Sequence, residues 1–173
     1  MNTHQTVIRL RAMEPDDVDA IYRWENDASL WIHSASHQPF SRHALQQFID
    51  NAATSDIYAT RQLRLMAVDD HNEAIGCIDL FDFDPYHRHC ALGMIIDKRH
   101  RGKGLGKLIL SELELFAREH LQLHLLYCDI ASTNAPCIRL FTNDGFRQCG
   151  TREEWIWHNG TWNDALIFQK IIE

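Results

Sequence analysis

Apolar and polar positions fall into short blocks along this chain, and turn residues separate the blocks. Val7–Met13 reads as a first strand. Glu14-Pro15-Asp16-Asp17 then opens a helix to about Asn26, since proline and acids suit a first turn. Ala28–Phe40, with Trp31 and Pro39, predicts a structured loop, and Ser41 can N-cap a second helix bearing Leu45, Phe48 and Ile49. Leu63–Val68 and Ala74–Phe83 are strands around the turn Asp69–Asn72, and His89–Ile96 follows the turn Asp84-Pro85-Tyr86. Leu105, Leu108, Ile109, Leu113 and Phe116 recur at helical spacing as far as His120, ahead of a strand over Leu123–Ile130. Ala135–Asn143 predicts a helix that ends at Gly145, and Phe146 begins the next strand. Asn159-Gly160, between Trp155–His158 and Ala165–Ile171, marks a hairpin.

Between the strand at His89–Ile96 and the following helix lies a basic, glycine-rich loop. Gly102, Gly104 and Gly106 at every second position allow backbone N–H groups close to an anion. Arg99, Arg101, Lys103 and Lys107 concentrate positive charge at the helix N-terminus. A pyrophosphate cradle for a nucleotide-type cofactor is expected. The segment Arg101-Gly102-Lys103-Gly104-Leu105-Gly106 fits neither the dinucleotide fingerprint nor the ATP-binding P-loop.

It resembles instead the Gln/Arg-x-x-Gly-x-Gly/Ala loop of the GCN5-related N-acetyltransferases (GNAT), with a strand before it and an amphipathic helix after it. That resemblance implies acetyl-CoA as co-substrate, held at Arg101, Gly102, Lys103, Gly104, Leu105, Gly106 and Lys107. The fold it implies is α+β (mixed α/β): a central twisted, mostly antiparallel sheet with splayed fourth and fifth strands, flanked by helices. Met94, Ile95 and Ile96 are expected to offer their main chain to the pantetheine arm, while their side chains serve the core. Asn134 and the aromatic Phe141 match the family's second cofactor segment, although Asn134 fits a helix cap equally well. Many family members carry a tyrosine at the Phe141 position as general acid. Phe141 cannot donate, Tyr127, Ser132 and Thr133 are other nearby hydroxyls, and a direct transfer with no dedicated acid is expected. Cys137, in the first turn of the same helix, is expected to favour its thiolate.

The look is closest to polyamine and ribosomal-protein N-terminal acetyltransferases, through Trp24–Ser29 and Ile78–Ile96. Both groups acetylate amines, which are cations at neutral pH and must lose a proton to attack. Asp79, Asp82 and Asp84 are therefore the candidate substrate carboxylates, with Asp82 first and Asp79 second for the proton-accepting role. Asp79 and Asp82 have opposite parity, so a regular strand would point them to opposite faces unless a bulge intervenes. Trp31 is the better substrate-side tryptophan, and Trp24 fits the core face formed with Ile21.

Composition narrows the rest. At 173 residues, with 45% apolar and 24% charged residues, one globular domain spanning 1–173 is expected. A net charge of −7 disfavours general binding to nucleic acid or anionic membranes. No run approaches transmembrane length, and the polar start lacks a signal-peptide core. The five cysteines include no CxxC pair, so free thiols in the cytoplasm are expected. His87 and His89 would supply only half a metal site, and no metal is expected. The function expected is an N-acetyltransferase acting on a small primary amine such as spermidine. Alternatives are a protein N-terminus as acceptor, or an acyl-CoA-binding module with little catalysis. The tryptophan-rich hairpin offers a surface through which subunits of a homo-oligomer could pair.

Overall fold

A computed structural model describes residues 7–33 and 37–172, so residues 34–36 of the expected loop lie outside the described part. Seven strands form one sheet: β1 (Arg9–Ala12), β2 (Leu63–Val68), β3 (Ala74–Asp84), β4 (His89–Ile96), β5 (Leu125–Ala131), β6 (Arg147–His158) and β7 (Thr161–Ile171). Their order is β1-β2-β3-β4-β5-β7-β6, and every neighbouring pair is antiparallel except β4 with β5. Five helices are α1 (Val18–Glu25), α2 (Arg42–Ala53), α3 (Ile57–Thr60), α4 (Leu105–Glu119) and α5 (Ala135–Asn143).

Strand alternation sends side chains to two separate cores. Leu65 and Ala67 of β2, Ile78 and Leu80 of β3, and Leu92 of β4 pack against Ile109, Leu110 and Leu113 of α4 and Phe141 of α5. Met66, Val68 and Cys77 meet Ile21 and Trp24 of α1 and Leu45 and Ile49 of α2 on the other face. Helices thus cover both faces of the middle strands, which explains their nearly continuous apolar sequence.

Two irregularities shape the site. β3 and β4 pair without a break from Gly76↔Ile96 to Phe81↔Ala91, and then the register slips before Asp84↔His89. The slip is a bulge at Asp82, whose φ is +50°. That bulge resolves the parity conflict between Asp79 and Asp82. The second irregularity is the parallel pair. β4 and β5 share only His89↔Leu125, Cys90↔Leu126 and Ala91↔Tyr127, after which the strands part. From Leu92 onward, β4 has no strand beside it on that side.

Two elements were not readable as periods. α3 has four residues, with Asp56 accepting a hydrogen bond from the Ala59 N–H as its cap, and is too short to show helical spacing. β6 is longer than the hairpin suggested, because register slips after Gln148 and Arg152 break its alternation.

Candidate active site

The glycine loop is bolted to the fold at Asp97, the residue after β4. Asp97 is 6% exposed, and its carboxylate accepts hydrogen bonds from the Arg99 N–H (3.0 Å), Arg99 Nε (3.1 Å) and Trp24 Nε1 (3.0 Å). Burial by itself would raise its pKa. The Arg99 and Trp24 donors outweigh burial and hold the carboxyl well below the usual carboxylate range. Trp24, 5% exposed, is therefore a core residue with one polar task. Arg101 Nε donates to the Ile96 carbonyl at 2.8 Å, closing the loop's other side.

Gly104 ends the loop at φ +76° and precedes α4 without a side-chain cap. Among the described residues, the N–H groups of Gly102, Lys103, Gly104, Leu105 and Gly106 meet no backbone carbonyl. Those free donors open a fifteen-residue helix, the arrangement that favours an anion. Arg101, Lys103 and Lys107 are exposed around it. Gly106 has a different reason. A Cβ there would lie 2.8 Å from Leu140 Cδ2 and 3.2 Å from Ile96 Cδ1, so its absence lets α4 approach α5 and β4. Lys103 is the one expected cofactor residue that does not line the adjoining cleft.

That cleft has a volume of about 2100 Å³ and runs from the loop, along the parted strands, to α1 and α2. Met94, Ile95 and Ile96 line it on the open edge of β4. Met94 and Ile96 pack into one core and Ile95 into the other, which leaves their main chain facing the gap. The residues present fit an acetyl-CoA arm: an edge without a partner strand, leading to free N–H groups at a helix start. Across the gap, Asn134 caps α5 by accepting from the Cys137 N–H at 3.3 Å, and its own amide hydrogens remain available. Phe141 is 3% exposed and packs edge-on against Phe146, with ring centroids 4.9 Å apart. The expectation of a Cys137 thiolate is corrected: burial pushes its thiol up to about 11, outweighing the helix N-terminus.

The three aspartates of β3 separate in role. Asp79 lies opposite Arg64 in the sheet and binds it through both oxygens, Oδ1 to Nε at 2.6 Å and Oδ2 to Nη2 at 3.0 Å. Arg64 Nη1 also donates to Glu25 Oε1 at 2.5 Å. Burial opposes the charge on Arg64, but Asp79 and Glu25 overcome it and raise its pKa well above the ordinary value. Asp82, exposed on its bulge, accepts no hydrogen bond and joins no ion pair among the described residues. Asp84 accepts from the N–H groups of His87 (2.8 Å) and Tyr86 (2.9 Å); those bonds form the turn and hold its carboxyl below its ordinary value. Asp84 does not line the main cleft, whereas Asp79 and Asp82 do. Trp31 lines it too, fixed by its indole N–H to the Glu25 carbonyl at 2.8 Å.

Sequence reasoning missed Glu25, Arg64 and Asp97, and it left Tyr127 unassigned. Asp97 carried a readable signal, an acid at a strand end before a basic loop. Arg64 carried none, since its partner is set by strand register.

Residues 8–147 match the model of the acetyltransferase (GNAT) domain. The chain is 28% identical over 162 residues to the SPbeta prophage-derived uncharacterized N-acetyltransferase YokL of Bacillus subtilis (strain 168), covering 93% of this chain and 88% of that protein. It is 24% identical over 165 residues to the spermidine N(1)-acetyltransferase of Vibrio cholerae, covering 95% and 91%. The crystal structure of spermidine N-acetyltransferase from Vibrio cholerae in complex with CoA and spermine superposes with a TM-score of 0.84 at 23% identity, over 95% of each chain. With the parted β4 and β5 strands and the loop of free N–H groups, this chain belongs to the GNAT family of acetyl-CoA-dependent acetyltransferases.

Proposed function

We propose that this chain transfers an acetyl group directly from acetyl-CoA to a primary amine, with a polyamine such as spermidine as the preferred acceptor, in the cytoplasm. The observation that carries the acceptor class is Asp82, a cleft carboxylate with no partner of its own. A cationic amine supplies the missing counter-charge. The named activity of the Vibrio cholerae relative on spermidine supports the same class.

Arg101, Lys107 and the free N–H groups of the loop hold the pyrophosphate. The main chain of Met94–Ile96 and the amide of Asn134 hold the pantetheine arm. Acetyl-CoA supplies an acetyl group activated as a thioester. Asp82 binds the ammonium and accepts its proton, directly or through one water, so that the amine can attack. Asp79 and Glu25 exceed Arg64 by one negative charge and add to the field at the acceptor end, while Trp31 offers an aromatic face beside them. Self-association through the exposed Trp155, Trp157 and Trp162 of the β6–β7 hairpin belongs to the same reading, as does one domain spanning the chain.

Asp82→Asn tests the assignment. Turnover of spermidine should fall about 10²-fold or more, the usual worth of a general base, with acetyl-CoA affinity unchanged. Wild-type kinetics in that variant would remove Asp82 from the reaction.

A further inference from the structure

We propose that Tyr127 is the catalytic acid, giving its phenolic proton to the sulfur of coenzyme A as that sulfur departs. The role is open because Phe141, buried against Phe146, has no proton to give.

Among the described residues, the hydroxyls lining the cleft are those of Ser29, Ser55, Thr60 and Tyr127. Ser29 donates to Asp27 at 2.7 Å, Ser55 to the Asn51 carbonyl at 2.8 Å, and Thr60 to the Asp56 carbonyl at 2.9 Å. Each is spent on its own loop. Tyr127 also lines the cleft, and its hydroxyl makes no hydrogen bond among the described residues. Its place in the sheet points the same way. Phe81, Ala91 and Tyr127 form one rung across β3, β4 and β5, and it is the last rung before β4 and β5 part. Tyr127 therefore stands at the closed end of the gap, next along from the bulge that carries Asp82.

The groups facing Tyr127 are Asp82 on β3, His89 and Cys90 on β4, Asp129 on β5 and Arg152 on β6. The His89 ring meets it edge-on at 6.0 Å. Burial comes first, and Asp82, Cys90 and Asp129 add to it against Arg152; together they raise the phenol above its ordinary value. It stays protonated through neutral pH, as a donor must. Two protonated thiols also line the cleft: Cys137 lies a full turn before Phe141 on α5 rather than at the closed end, and Cys128, beside Tyr127, is buried in the core with Leu126 and Ile130.

The bound ammonium first passes one proton through Asp82 to solvent. The neutral amine nitrogen then bonds to the acetyl carbon and gives its second proton to the freed Asp82 carboxylate, while the carbon–sulfur bond breaks with its electron pair on sulfur. Tyr127 gives one proton to that sulfur, yielding the thiol, and the proton on Asp82 returns to the phenolate through water. The inference rests on the amine-acceptor reading above and on Asp82 within it.

Tyr127→Phe is the test, read in two ways. With spermidine, kcat should fall about 10²-fold and the decline of kcat at high pH should disappear, while acetyl-CoA affinity by calorimetry stays within about threefold. Ultraviolet titration of tyrosinate should show one high-pH transition in the wild type that is absent from Tyr127→Phe and lowered in Asp82→Asn. Retention of wild-type kcat and its high-pH decline in Tyr127→Phe would overturn the assignment. So would a matching loss in Cys137→Ala alone, or a tyrosinate titration indifferent to Asp82→Asn. If the wild type turns over no amine, the acceptor reading fails, and release of CoA from acetyl-CoA to hydroxylamine then decides for or against Tyr127: a loss in Tyr127→Phe supports it and an unchanged rate overturns it.

Discussion

Trp24 Nε1 donates to Asp97 Oδ2 at 3.0 Å and so ties α1 to the residue that ends β4. One indole thus couples α1 to the glycine-rich loop proposed to receive the cofactor's phosphates. Trp24→Phe keeps most of the packing and removes the donor, leaving a buried carboxylate with Arg99 and the more distant Arg23, 3.9 Å away. A loss of about 1.5–3 kcal/mol is expected for a hydrogen bond to a charged group, together with weaker acetyl-CoA binding. Urea unfolding and calorimetry check both; unchanged stability would mean the bond is not formed in solution.

Asp97 also sets a pH dependence. Its folded pKa is depressed, so its contribution is complete above the unfolded value of about 3.9 and is lost as pH falls toward the folded one. The stability gap between wild type and Asp97→Asn should be constant near neutrality and shrink below about pH 4. A gap that widened with acid would reverse the sign and refute the depressed pKa.

Two glycines of the loop should fail differently. Gly106→Ala puts a methyl 2.8 Å from Leu140 Cδ2, and the overpacking should cost about 1–3 kcal/mol as α4 and α5 separate. Gly104→Ala meets no neighbour within 4 Å but strains a residue at φ +76°, for about 1–2 kcal/mol. Both should bind acetyl-CoA less well. Melting with and without acetyl-CoA distinguishes them from neutral substitutions; equal stability of Gly106→Ala and wild type would show that Leu140 yields freely.

Arg64→Met would leave Glu25 and Asp79 without their shared partner. About 3 kcal/mol of stability should be lost, and adding Asp79→Asn should recover part of it. Chemical denaturation of the single and double variants reads this directly. If Arg64→Met were as stable as wild type, the ion pairs would carry no net weight.

The chain's elements were largely readable from apolar spacing, because both faces of the middle strands are buried and the turns between them carry proline, aspartate and glycine. The loop of free N–H groups was readable because it is local: Arg101–Gly106 is contiguous, and its amides need no distant partner. Asp79 was not, since its role follows from Arg64, fifteen residues away and opposite it only in the folded register. Parity flagged the conflict between Asp79 and Asp82, but only the structure shows that a bulge at φ +50° resolves it. Gly106 looked like an anion-loop glycine by spacing, and its packing reason becomes visible only with Leu140 beside it.

The most direct test of the proposed activity is release of free CoA from acetyl-CoA by the purified chain, compared across spermidine, spermine, other primary amines and short peptides. Spermidine and spermine should be turned over with the highest kcat/KM, and Asp82→Asn should abolish that preference without altering acetyl-CoA affinity. Turnover of peptides but not polyamines, or tight acetyl-CoA binding with no turnover of any amine, would contradict it.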